Sequence, residues 1–129
     1  MSKLLVYLTA LFFLLYGAFF IVAPIEMANL VTGSSPSSAS ATIDFRATYG
    51  GAQLAIGVAL IFVMTLRKDI ALALVIVATT LLSMAFGRLM GILVDGQPNI
   101  LMYVYLAAEV VFGALALNFR KSVAPLALR

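Results

Sequence analysis

The chain has 129 residues, of which 64% are hydrophobic and only 10% charged. A soluble domain carries about 25% charged residues, so this composition selects lipid as the solvent. The chain has no cysteine and no histidine, which excludes disulfides and thiolate chemistry and removes the usual proton shuttle and the commonest metal ligand.

Four apolar runs are long enough to cross a bilayer as helices, which takes about 20 residues. The first is residues 4–23, ended by Pro24. It is too long for the apolar core of a secretory signal, about 7–15 residues, and is expected to remain as a span. The second is residues 45–66, ended by Arg67, Lys68 and Asp69. The third, residues 70–94, stops at the turn sequence DGQPN, where Gly and Pro interrupt the helix. The fourth, residues 100–119, ends at Arg120 and Lys121. The expected fold is therefore all-α, a four-transmembrane-helix bundle forming a single membrane domain.

The connections carry the orientation. Lys3, Arg67, Lys68, Arg120, Lys121 and Arg129 all fall on one side of this arrangement, and the opposite loops contain no Lys or Arg. The positive-inside rule assigns the basic side, with both termini, to the cytoplasm. The basic charge is thus a topology signal rather than a nucleic-acid footprint, and it can also attract anionic lipid heads. The outer connection 24–44 is the long one. PIEMANL places proline where a helix can begin, and VTGSSPSSASAT reads as a flexible loop rich in small polar residues.

The second and fourth spans share a pattern. Tyr49, Gln53 and Gly57 recur as Tyr105, Glu109 and Gly113 at a constant offset of 56 residues. Tyr16-Gly17 and Phe86-Gly87 echo each other in the first and third spans at an offset of 70. Two repeated helical hairpins would produce this pattern; chance in a low-complexity apolar sequence is the simpler alternative. At α-helical spacing Arg46, Tyr49, Gly50, Gln53 and Gly57 form one stripe, and Tyr105, Glu109 and Gly113 another. Small residues on such stripes let helices approach closely. Gly87 and Gly91 frame a G-x-x-x-G around Arg88. Tight packing inside the bundle is its simpler reading, and dimerisation the other.

Depth singles out a polar cluster. At a rise of about 1.5 Å per residue, Glu109 lies about 15 Å below Asn99, Gln53 about 13 Å below Asp44 and Arg88 about 10 Å below Asp95. A lone charge at a helix centre costs about 2.5–3.5 kcal/mol, so these groups are expected to turn inward, with Glu109 paired to Arg88 or Arg46. Two readings follow. In one, the ion pair only fixes helix packing. In the other, Arg46, Tyr49, Gln53, Arg88, Tyr105 and Glu109 line an outward-facing pocket, with Tyr103 and Phe86 as further walls. Two guanidiniums against one deep carboxylate leave a spare cation suited to an anionic or amphipathic, lipid-like molecule.

RATYGGAQLAIGVAL, followed in the third span by GRLMGILVDGQP, resembles an uncharacterised family of small bacterial four-helix membrane proteins carrying an R-A-x-Y-G-G string. More distantly, size and topology look like the DoxX-like membrane proteins. The resemblance covers the chain from the second span onward. It implies a four-helix bundle in a bacterial inner membrane and supplies no reaction or catalytic residue. An enzyme is not expected, because Glu109 is the only deep acid and Thr79, Thr80 and Ser83 have no evident base beside them. An oligomeric proton-coupled transporter with Glu109 as the carrier is a third alternative. Expected partners are membrane lipids, an amphipathic small molecule and further copies of the chain, with no cofactor, metal or nucleic acid.

Overall fold

The computed structural model describes residues 1–123, and they form helices without strands. Helix α1 is Ser2–Val22, α2 is Pro24–Thr32 and α3 is Ala39–Phe45. The chain continues as a π-helical stretch, Arg46–Ala52, then α4, Gln53–Phe62, and a second π-helical stretch, Val63–Arg67. Helices α5, Ile70–Asp95, and α6, Ile100–Val123, complete the order. Four helical stretches are long and apolar enough to cross a membrane: 2–22, 39–67, 70–95 and 100–123. Only 17–39% of the most apolar window of each is buried within the chain. The remaining apolar surface, including Leu11, Phe19, Phe62 and Leu93, would be untenable in water and is matched to lipid.

The ends of these helices follow from local chemistry. Pro24 opens α2, where its missing N–H leaves no bond unmade. The long outer connection is therefore partly ordered. Extended chain is limited to a few residues before Ser38, whose side chain accepts a hydrogen bond from the Ala41 N–H at 3.1 Å and starts α3 at Ala39. The second span thus begins six residues ahead of Phe45. Asp69 starts α5 in the same way, accepting from the Leu72 N–H at 2.9 Å.

The chain divides into two compact units. One is Leu8–Ile61; the other joins Met1–Tyr7 to the chain from Phe62 onward. In the first, Gly17 brings the α1 backbone against the end of the π-helical stretch and the start of α4. A Cβ at Gly17 would lie 2.5 Å from the Leu54 nitrogen and 2.7 Å from the Gly50 carbonyl oxygen. In the second, α5 and α6 pack together, with Leu74, Val77, Ala78, Leu81 and Ala85 buried at helical spacing on α5.

The two units have corresponding contacts. Gly57, four residues after Gln53, packs on Ala10 and Leu14, while Gly113, four after Glu109, packs on Leu81 and Leu82. The correspondence fails at the other glycine pair. Gly17 is pressed against backbone, whereas a Cβ at Gly87 meets nothing within 4 Å among the described residues. Tight packing inside the bundle is therefore not what Gly87 is for.

Candidate functional site

Arg88, Tyr105 and Glu109 come together between α5 and α6. The Arg88 guanidinium donates from Nε to Glu109 Oε2 at 3.0 Å and from Nη2 to Oε1 at 2.6 Å. Its Nη1 donates to the Met102 sulfur at 3.2 Å, and its Cζ sits 5.1 Å from the Tyr105 ring centroid. Met102, Tyr105 and Glu109 are spaced i, i+3 and i+7, so one face of α6 supplies an acceptor, a π-face and a counter-charge to a single side chain from α5. Glu109 is buried, at 7% side-chain exposure, and Arg88 nearly so at 18%. A bidentate pair of this kind cancels both charges and directs the contact. The part played by Met102 escaped the sequence reading. The available signal was its position two turns before Glu109 on the same face.

Arg46, Tyr49 and Gln53 belong to the other unit. Helix α1 ends at Val22, because the chain turns at Ala23 and Pro24 has no N–H to continue the ladder. Its last carbonyls would be left without donors. Arg46 Nη1 donates to the Ile21 carbonyl and also to that of Val22 at 3.4 Å. A cation at a helix C-terminus also complements the helix dipole. Among the described residues, Nε and Nη2 of Arg46 have no hydrogen-bond partner.

An aromatic stack stands beside it. Tyr49 is stacked on Phe45 at 4.9 Å and on Phe20 at 5.4 Å, and the series continues down α1 through Tyr16 and Phe12. Tyr49 nevertheless keeps 42% of its surface exposed. The π-helical turns explain why Arg46 and Tyr49 lie outside while Gly50 is buried. Their wider i→i+5 winding changes the phase that α-helical spacing assumes. The single stripe expected through Arg46, Tyr49, Gly50, Gln53 and Gly57 is broken there. Gln53 presents a buried amide oxygen with no hydrogen-bond partner among the described residues, an acceptor that calls for a donor.

Tyr103 and Phe86, expected as pocket walls, are both largely exposed. Phe86 lines a groove between α5 and α6 with Leu117. Thr79 satisfies its hydroxyl on the Val75 carbonyl at 2.8 Å, as helical threonines in membranes do. No group of three or more acidic, His or Cys side chains able to hold a metal occurs among the described residues.

Four helical stretches long and apolar enough to cross a membrane, two of them joined by a neutralised ion pair, define a multi-pass membrane protein of the four-helix class. The chain belongs to the domain of unknown function family DUF4345, whose model matches residues 1–119 and so includes the first helix as well as the other three. No curated protein and no solved structure matches it.

Proposed function

We propose that this protein binds an anionic or amphipathic, lipid-like molecule, with Arg46 recognising the anionic group and Tyr49 and its stacked neighbours receiving the apolar part. The observation that carries this reading is the double use of Arg46. Nη1 is engaged at the end of α1, while the Nε/Nη2 edge, the fork that takes two oxygens at once, has no partner among the described residues. Gln53 is assigned to the same ligand as an acceptor, because its amide oxygen lacks a donor. Arg88, Tyr105 and Glu109 are assigned a packing role, since both carboxylate oxygens are already held in the Arg88 fork. The same occupancy argues against Glu109 as a proton carrier. The distant DoxX-like resemblance carries no weight here.

The test is lipid retention. Arg46→Gln is expected to fold and to lose anionic lipid that co-purifies with the parent, read by mass spectrometry of the extracted lipids. Equal lipid content and equal thermal stabilisation by added bacterial lipid would overturn the reading.

We further propose a bacterial inner membrane, with both termini cytoplasmic, on the division of basic residues. Single cysteines at Ser38 and Ser122 should then label from opposite sides, Ser38 from outside. Outside labelling at Ser122 would reverse the assignment. Self-association is retained only for the face bearing Gly87 and Gly91, because Gly50, Gly57 and Gly113 are taken up by contacts within their own units. A single-chain mass in native nanodiscs at every protein-to-lipid ratio would remove it.

A further inference from the structure

The α5–α6 unit carries a groove of its own. A groove of about 400 Å³ runs between these helices, lined by Ala78, Thr79, Leu82, Ser83 and Phe86 of α5 and by Leu117 of α6. Its lining is mainly apolar, and Thr79 turns its hydroxyl back onto its own helix. From Ala78 to Phe86 it extends about 12 Å along the helix, close to the hydrocarbon depth of one leaflet, about 15 Å. Arg120 and Lys121 follow Leu117 by three and four residues, so they stand on the same face of α6, one turn beyond the groove. Both are exposed and neither makes an ion pair among the described residues. The Asp69 carboxylate is engaged at the start of α5.

We propose that this groove and the Arg120–Lys121 pair form a site for one anionic phospholipid of the leaflet at the basic end of the protein. An acyl chain lies along Ala78–Phe86 and the phosphate meets the two cations. Charge chooses this occupant over a second copy of the chain. Two copies inserted with the same orientation would bring Arg120 and Lys121 of each toward those of the other, whereas an anionic headgroup complements them.

Native mass spectrometry of the full chain in nanodiscs tests the proposal, comparing phosphatidylglycerol with phosphatidylcholine. The parent should retain phosphatidylglycerol preferentially, with one molecule assigned to this groove in addition to any held at Arg46. Arg120→Gln with Lys121→Gln should weaken that retention roughly thirtyfold, from the contribution of two basic side chains at an anionic surface. Ser83→Trp should exclude the lipid with both cations in place, and Arg46→Gln should leave this lipid bound, which separates the site from the one proposed above. Parental retention in the double variant overturns the proposal, and that variant decides alone if Ser83→Trp does not fold. Loss of a dimer in Ser83→Trp with lipid retention unchanged overturns it in favour of a second copy in the groove.

Discussion

Glu109→Gln is expected to lose about 3–5 kcal/mol of folding stability, the usual result of removing one partner from a buried ion pair. The reason is geometric. Arg88 donates through both Nε and Nη2 to the carboxylate, and the only other acid on α5 and α6 is Asp95, at the end of α5. A glutamine keeps one acceptor but leaves the guanidinium charge uncompensated among apolar side chains. The double variant Arg88→Met, Glu109→Leu should recover most of the loss, because a well-packed apolar pair is often as stable as the ion pair it replaces. Unfolding in mixed micelles, followed by circular dichroism, measures both. A Glu109→Gln protein within about 1 kcal/mol of the parent would show that the pair does not hold α5 to α6.

The second large effect is expected at Gly17. Gly17→Ala places a methyl group 2.5 Å from the Leu54 nitrogen and 2.7 Å from the Gly50 carbonyl oxygen, both backbone atoms. Neither can rotate aside, so α1 must move off the π-helical stretch. Overpacking of this kind costs about 1–3 kcal/mol or more. Gly87→Ala, the counterpart seventy residues later, adds its methyl to open space and should be neutral or stabilising by up to about 1 kcal/mol, since alanine is the better helix former. The same unfolding assay distinguishes them. Equal effects at the two positions would contradict the close crossing at Gly17.

The four spans, their order and the pairing of Arg88 with Glu109 were legible because each rests on a large penalty. Lipid demands long apolar helices, and a deep carboxylate demands a cation. The α2 helix was half legible, through Pro24. What could not be read is local winding. Nothing in RATYGGA distinguishes a π-helical turn from an α-helical one, and that difference decides whether Arg46 and Tyr49 share a face with Gly50. The bond from Arg46 to the end of α1 was hidden for a related reason. It joins residues 25 apart in sequence, and only the ending of α1 at Val22 creates the acceptors. The asymmetry between Gly17 and Gly87 was likewise out of reach, since identical residues at matching positions meet different neighbours.

Recognition of an anionic headgroup by the Arg46 guanidinium fork is measured by calorimetric titration of the purified chain with a short-chain phosphatidylglycerol. The parent should show saturable binding that weakens with salt. Arg46→Lys keeps the charge but not the fork and should lose roughly tenfold or more in affinity at this site, while Arg46→Gln, tested with Arg120→Gln and Lys121→Gln in place so that the groove between α5 and α6 does not contribute, should show no saturable binding. Parental affinity in that combined variant would contradict the account.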